Sequence, residues 1–297
     1  ARAHILGAEG LALHLCGYWL AAHGRCVETA ALLREHAPAN TWEIDTATMY
    51  SLRSLFMLGH LGALKRELLE RLAEAEARGD LFAQNSLRTG HLNALWLASG
   101  DVDGARREIQ TAARESQEGA MHLPQLQELV ARTQIDLYEG DGARAHTRTL
   151  EAWRGIEDSQ LLRIQHDRIV LFALRARAAI AHARAARGRA RSLLDEAAEM
   201  SNEVARIGAP WAFAEAAMLR GCVAQAMGEP QRAAVSFDQA ARDYAACDMA
   251  LHAAVARLRT GKLVGGDEGR LAVTQSREWM TEQGIVEPEA FAAVIAP

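Results

Sequence analysis

The pattern of apolar and polar residues along the chain is that of helices rather than strands. No stretch alternates between apolar and polar residues over the length of a strand. Long stretches rich in Ala and Leu, which favour helices, are separated by short turns. Val, Ile, Thr and Tyr, which favour strands, are thinly spread. The pattern therefore predicts an all-α protein.

Glycines mark most of the predicted turns and recur at a nearly regular interval. Six of them each follow one helical stretch and precede another, with successive spacings of 35, 41, 40, 48 and 40 residues: Gly24, Gly59, Gly100, Gly140, Gly188 and Gly228. A helix often ends in a left-handed conformation, which glycine adopts at low cost. A repeat of this length is typical of a solenoid, in which stacked units share one elongated core.

We therefore expect one α-solenoid over 1–297, made of about seven antiparallel helical hairpins that stack into a superhelix. The first helices are predicted near 3–22, 42–58, 81–99, 123–139, 160–186, 210–227 and 248–262. The second helices are predicted near 26–36, 61–78, 102–116, 142–154, 189–206, 231–246 and 268–283. In the tail, 285–297, a short helix starting at Pro288 would cap the last apolar face.

Three of the predicted turns share two further features. An acidic residue follows the glycine directly, at the start of the second helix, where the helix dipole favours negative charge. An alanine follows one turn later, where two helices converge and a larger side chain would push them apart. The glycine and alanine of each motif, which we predict to define the repeat, are Gly100 and Ala105, Gly140 and Ala145, and Gly228 and Ala233.

The clearest repeat runs from Trp96 to Ala105, with Ile109 and Ala112 completing its second helix. It resembles a tetratricopeptide repeat, although that family has a period of about 34 residues. The longer period here is more similar to the regulatory arms of large bacterial ATP-dependent transcriptional activators, and to C-terminal regions of bacterial kinases fused to ATPases. The resemblance implies a sensor or scaffold arm of a larger bacterial signalling protein. The start at Ala1 instead of Met also suggests a fragment.

Charge and cysteine usage narrow the expected partners. The chain has 33 basic and 38 acidic residues, a net charge of -5 at pH 7. A mildly acidic chain lacks the basic footprint that broad nucleic-acid binding needs. No run of 18 apolar residues predicts a membrane span. The four cysteines are predicted to be free thiols, as in a reducing compartment. We therefore expect a cytoplasmic protein that binds neither nucleic acid nor membranes.

Catalytic and metal-binding motifs are missing from the sequence. It contains no nucleophile elbow, phosphate-binding loop, zinc-protease motif or dinucleotide fingerprint. No two of the 11 histidines lie three or four residues apart, the spacing that would place both on one helix face. We therefore expect no enzyme, no metal and no cofactor.

The fifth hairpin is the one strongly basic segment. Between Arg168 and Leu194 the sequence has no Asp or Glu, and its seven arginines are Arg168, Arg175, Arg177, Arg184, Arg187, Arg189 and Arg191. On a helix, Arg168, Arg175 and His182 form one stripe, and Arg177 and Arg184 form a second. These five could bind an acidic or phosphorylated segment through bidentate guanidinium contacts. Alternatively, this is a solvated face balanced by neighbouring acids, namely Asp195, Glu196, Glu199 and Glu203.

The expected architecture favours binding over catalysis. A superhelix has a long concave face, lined here by the first helices, which suits an extended peptide or a helix of another domain. We expect Trp42 and Trp211 to be the tryptophans best placed to reach it, although core packing explains them as well. The leading hypothesis is therefore a non-catalytic protein–protein interaction or regulatory module. Its partners would be a protein, a peptide or other domains of the parent protein.

Two other classes of function make different structural predictions. A peptide or small-molecule sensor that holds its ligand in the concave groove would have a deep pocket with convergent polar groups. An enzyme with an unrecognised site would have a cleft lined by ionisable groups with strongly shifted pKa values.

Overall fold

The computed structural model describes residues 2–113, 122–186 and 190–297. Within these ranges the chain forms 16 α-helices and two short 3-10 helices, and no strand. Helices that follow one another in the sequence pack against one another. The predicted all-α solenoid is confirmed. None of the described helices is long and apolar enough to cross a membrane.

The helices are joined by short turns along most of the chain. A 3-10 segment, Gly90–Asn93, precedes α6, and another, Leu161–Arg163, precedes α10. The α-helices are α1 (Arg2–Cys16), α2 (Trp19–His36), α3 (Thr41–Leu58), α4 (Leu61–Arg78), α5 (Leu81–Arg88), α6 (Ala94–Ala98), α7 (Val102–Ala113), α8 (Leu123–Tyr138), α9 (Gly142–Glu157), α10 (Gln165–Ala185), α11 (Ala190–Arg206), α12 (Pro210–Ala226), α13 (Pro230–Ala246), α14 (Ala250–Val264), α15 (Gly266–Glu282) and α16 (Pro288–Ile295).

The helices form an inner and an outer layer, which differ in burial. In α3, 12 of 18 residues are buried, whereas in its partner α4 only five of 18 are. The same contrast holds for α12, with 12 of 17 buried, and α13, with five of 17. Inner helices also contact one another, and α10 packs against α12 in this way. The concave side of the solenoid is therefore largely a packed interior.

The superhelix curls until distant repeats touch. Helix α1 contacts α10, and α3 contacts α14. Two glycines with positive φ make these closures possible, Gly17 with φ 89° and Gly59 with φ 83°. A Cβ on Gly17 would lie 2.5 Å from the indole of Trp211, and one on Gly59 would lie 2.6 Å from the backbone nitrogen of Leu251. Only glycine allows such close backbone approach together with a left-handed conformation.

The C-terminal helix α16 lies inside the curl. It begins at Pro288, as the sequence predicts, and buries Phe291, Val294 and Ile295. It packs against α14 and α15, and on its other side against α8. The segment before it is held by a hydrogen bond of 2.8 Å from the Val286 backbone nitrogen to the Ala98 carbonyl. The tail therefore caps the last hairpin and also fills part of the concave groove.

The repeat motifs adopt the local structure that their spacing indicates. All three glycines of the motif have φ between 74° and 77°, and all three alanines are fully buried. Asp101 and Asp141 cap their helices by accepting hydrogen bonds from the backbone nitrogens of Gly104, at 2.7 Å, and Arg144, at 3.0 Å. The predicted turn at Gly188 lies outside the described residues.

Two predicted helix boundaries are wrong. Gly24 is not a turn but lies within α2, because the chain turns earlier, at Gly17, where Trp211 leaves no room for a side chain. The single helix predicted at 81–99 is interrupted after Arg88. Gly90 has φ 65°, where other residues are strained, and a Cβ there would force the Gln127 side chain to move. In both places a tertiary contact, rather than the local pattern, sets the helix end.

Candidate functional site

The structure distributes the five predicted partner-binding residues over different environments. Arg175 donates a hydrogen bond of 2.6 Å to Glu196, and its guanidinium lies 4.4 Å from the centre of the Trp153 ring. Glu196 also lies 3.1 Å from His146, which in turn lies 3.3 Å from His182. These contacts lower the pKa of Glu196 in spite of its burial. Arg175 and His182 therefore belong to a network between α9, α10 and α11.

The other three residues of the predicted site do not join this network. Arg177 is buried on the opposite side of α10, where it donates a hydrogen bond of 2.6 Å to Glu215. Arg168 is half-buried and Arg184 is exposed. Arg187 and Arg189 lie outside the described residues, and Arg191 pairs with Asp195. Acidic side chains thus pair with some arginines of the basic segment. Binding of an acidic partner to this segment stays a prediction.

The two tryptophans singled out from the sequence lie in different places. Trp211 is only 3% exposed and packs at the inner face against Trp19, with ring centres 5.5 Å apart. Trp42 is 61% exposed and lines a separate apolar cavity of about 230 Å³ between α1, α2 and α3. Only Trp211 reaches the concave side.

The cavity of the groove that Arg53 lines was not predicted from the sequence. We call it the groove chamber, a cavity of about 270 Å³ bounded by α1, α3, α8, α10 and the two 3-10 segments. Its apolar walls include Met57, Leu126, Val130, Leu161 and Val170. Its polar lining consists of His14, Tyr50, Arg53, His91, Gln127, His166 and Asp167.

Arg53 dominates the electrostatics of the groove chamber. It is the only charged residue in the stretch 46–58 of α3, and only 8% of it is exposed. Its guanidinium carbon lies 5.6 Å from the centre of the Tyr50 ring. Among the described residues it has no hydrogen-bond or ion-pair partner. Burial lowers the pKa of Arg53, but an arginine in a protein stays protonated at neutral pH. The wall of the chamber therefore has a positive charge that forms no ion pair within the described ranges, although the nearby charge of Asp167 favours it.

Two histidines of the chamber are neutral. His14 Nδ1 lies 2.9 Å from the Ser54 hydroxyl, and His91 Nδ1 lies 3.0 Å from Gln134 Nε2. Burial is the main cause that lowers the pKa of both rings well below 6.5, and the neighbouring His166 adds to it. Both rings are therefore uncharged at pH 7, because a low-dielectric site disfavours the imidazolium form.

The start of α10 supplies a third histidine and an acid. His166 Nδ1 lies 3.1 Å from the Asp167 carboxylate, and the His166 ring centre lies 5.6 Å from that of Trp211. The Nε2 atoms of His91 and His166 are buried and have no hydrogen-bond partner in the described part of the chain. Buried polar groups are nearly always hydrogen-bonded in native proteins. Arg53 and the polar side chains around it make the chamber able to bind a polar group.

A second cavity adjoins the groove chamber. It has a volume of about 340 Å³ and shares Arg53, Leu123 and Gln127 with the chamber. It extends towards α5, where Phe82 and Asn85 line it. Arg53 therefore stands between two cavities and is accessible from both.

A buried polar network with paired charges lies deeper in the groove. Glu215 accepts hydrogen bonds from Arg177, at 2.6 Å, and from the Tyr244 hydroxyl, at 2.7 Å. Burial, followed by the charge of Glu215, raises the pKa of Tyr244 well above its usual value. Burial, followed by the charge of Arg177, lowers the pKa of His252 to about 3. The charges of this network are paired and join α10, α12 and α13. Arg177 Nε and His252 Nδ1 are buried without a hydrogen-bond partner in the described part of the chain.

The convergent histidines do not form a metal centre. No three His, Cys, Asp or Glu side chains in the ranges that the structure covers are grouped closely enough to hold a metal ion. Comparison of the chain with protein-family models, with curated proteins and with solved structures gives no match. The chemistry of the groove chamber is therefore the basis for assigning a function.

Proposed function

We propose that the chain is a non-catalytic regulatory module that senses a small molecule bound in the groove chamber. One observation carries this proposal: a cavity of about 270 Å³ in the concave face is lined by His91, His166 and the buried Arg53, whose guanidinium has no hydrogen-bond or ion-pair partner among the described residues. Ligand sites are typically mostly apolar cavities with a few convergent polar groups. This is the pattern expected of a sensor.

The size of the chamber favours a small molecule over a peptide. Small-molecule sites typically have volumes of about 300–1,000 Å³. The chamber, at about 270 Å³, lies just below that range and therefore suits a small ligand. An extended peptide would need a long open groove, and here α16 occupies part of the concave face, with Phe291 and Ile295 buried in it. A protein partner would accordingly bind on the outer faces of the solenoid.

The polar groups of the chamber favour binding over covalent chemistry. Among the described residues, the serine hydroxyl nearest to a histidine of the chamber is that of Ser54, 2.9 Å from His14. Ser54 is fully buried, donates its own hydrogen bond to the Tyr50 carbonyl at 2.8 Å, and does not line the chamber. It is thus not placed to attack a ligand, since a nucleophile must reach the reacting atom.

A regulatory role follows from where the chamber walls lie in the sequence. A ligand in the chamber would contact α1 and α3 on one side and α8 and α10 on the other. A ligand that binds the curled form more tightly than an open form shifts the population towards the curled form. Ligand binding would thereby change the curvature that the outer helices present to other domains or proteins.

A cavity-filling variant tests the proposal. Val170 lines the chamber, so Val170→Phe should block it, whereas Val235, 70% exposed on α13, provides the matched control Val235→Phe. In a thermal-shift screen of small metabolites, we expect compounds that raise the melting temperature of the parent protein and of the control, but not of Val170→Phe. Circular dichroism checks that both variants fold. Compounds that stabilise all three proteins equally, or a screen without any binder, would contradict the proposal.

A further inference from the structure

Building on the proposed function, we infer that the groove chamber binds a small organic carboxylate. Arg53 binds the carboxylate group, and the apolar body of the ligand packs on Leu126, Val130 and Val170. The inference concerns the chemical class of the ligand and the residue that selects it.

The guanidinium of Arg53 forms no ion pair with any described residue. Arg53 is 92% buried, since 8% of it is exposed, and it is the only Arg or Lys among the described lining residues. Asp167 is the only acid among them. Its charge favours the protonated form of Arg53, but the two side chains form no ion pair within 4.0 Å, and Asp167 contacts His166 directly. A buried charge without a partner is strongly unfavourable. A carboxylate matches the planar fork of a guanidinium and would satisfy two of its donors at once.

The second argument limits the charge of the ligand to a single negative charge. A phosphate carries more than one charge at neutral pH and is usually held by several cations. Here Arg53 stands alone, because His14 and His91 are neutral, and Asp167 in the same wall repels additional negative charge. A monoanion is therefore favoured over a phosphate.

The third argument concerns the rest of the ligand. The side chains of His14, His91, Gln127 and His166 add polar surface to the wall around Arg53. Apolar side chains supply most of the remaining wall, including Met57 and Leu161. The ligand is thus amphiphilic, with one charged end and a compact apolar body.

Matched acid and amide pairs test the role of the charge. We would titrate hexanoate against hexanamide, and phenylacetate against phenylacetamide, into the full chain by calorimetry. Each pair has nearly the same shape and differs in charge. The expected result is that each acid binds at least ~10-fold more tightly than its amide, because hydrogen bonds between charged groups are the stronger ones. Inorganic phosphate should not bind measurably.

Variants of two arginines assign the effect to Arg53. Arg53→Met keeps the length of the side chain and removes its charge, so the acids should lose ~10-fold or more in affinity while the amides are little affected. Arg66, exposed on α4, gives the matched control Arg66→Met, which should leave both affinities unchanged. A melting curve by circular dichroism establishes that Arg53→Met is folded.

Several outcomes would overturn the inference. The first is that acids and amides bind equally tightly. The second is that inorganic phosphate binds more tightly than the acids. The third is that the acids bind Arg53→Met as tightly as the parent protein. Tighter binding of phenylalanine than of phenylacetate would also overturn it, because an ammonium group would then pair with Asp167. If a neutral metabolite binds the parent protein but not Val170→Phe, and no acid binds, the inference fails while the proposed function stands. If nothing binds, both fail.

Discussion

Gly17 and Trp211 touch so closely that a Cβ on Gly17 would lie 2.5 Å from the indole Cδ1 atom. Gly17 is the turn between α1 and α2, and Trp211 lies in the first turn of α12. The same indole packs against Trp19 and against His166, which lines the groove chamber. The contact that closes the superhelix therefore also supports a wall of the chamber.

A pair of glycine substitutions tests this closure. Gly17→Ala should destabilise the protein by about 1–3 kcal/mol, because alanine is strained at φ 89° and its Cβ would collide with Trp211. Gly24→Ala should stabilise it by about 0.5–1 kcal/mol, because Gly24 lies within α2 with open space around it. Urea unfolding measures both changes. If Gly17→Ala stabilised the protein and Gly24→Ala destabilised it, the turn would lie at Gly24, as the sequence pattern predicts.

The alanines of the repeat should not tolerate larger side chains. Ala105 and Ala233 are fully buried where two helices converge. Ala105→Leu or Ala233→Leu should therefore destabilise by about 1–3 kcal/mol through overpacking. Ala77→Leu, at an exposed position of α4, is the control and should change stability little. Unchanged melting temperatures in both buried variants would show that the helix contacts are misplaced.

Two buried arginines should respond in opposite directions to the same substitution. Arg53→Met should stabilise the ligand-free protein by about 1–3 kcal/mol, because it removes a buried charge that has no described partner. Arg177→Met should destabilise it by about 3 kcal/mol, because Glu215 would stay buried without its cation. Denaturant unfolding of the two variants measures the difference. Equal destabilisation would indicate a structural role for Arg53 and weaken its assignment to a ligand.

The stability should decrease in mild acid, partly through His252. Burial and the charge of Arg177 lower the pKa of His252 from 6.5 to about 3 in the folded protein. The unfolded chain therefore binds a proton that the folded chain excludes, so stability is lost as pH falls from about 6.5 towards 3 and is unaffected above 6.5. At pH 5 the loss amounts to about 2 kcal/mol from this group.

A matched pair of histidine variants isolates that contribution. His252→Gln should make the decrease in unfolding free energy between pH 7 and pH 5 shallower. His36→Gln, at an exposed ring, should leave the decrease as it is in the parent protein. If both variants have the same pH dependence as the parent protein, the pKa of His252 is not lowered by folding.

The local pattern of the sequence predicts the solenoid but not its closure. Helical stretches, glycine turns and converging alanines are local features, and Gly100, Gly140 and Gly228 have the left-handed conformation that their positions indicate. The helix ends at Gly17 and Gly90 depend on side chains far away in the sequence, Trp211 and Gln127. The pattern therefore misplaces both ends.

The groove chamber illustrates the same limit for function. His14, His91 and His166 come from three separate repeats, and only the curl of the superhelix brings them to one cavity. A single signal was visible in the sequence: Arg53 interrupts the otherwise uncharged stretch 46–58 of an inner helix. The run of arginines in the fifth hairpin was more conspicuous, but the acids that pair with Arg175 and Arg177 are supplied by neighbouring helices.

The most direct test of ligand binding in the groove chamber is a crystal structure of the protein grown with hexanoate. We predict density for the ligand inside the cavity, with its carboxylate oxygens about 2.7–3.0 Å from the Arg53 guanidinium nitrogens and its chain against Val130 and Val170. An empty chamber, with Arg53 turned to pair with Asp167 and hexanoate found only at exposed arginines such as Arg184, would contradict the account.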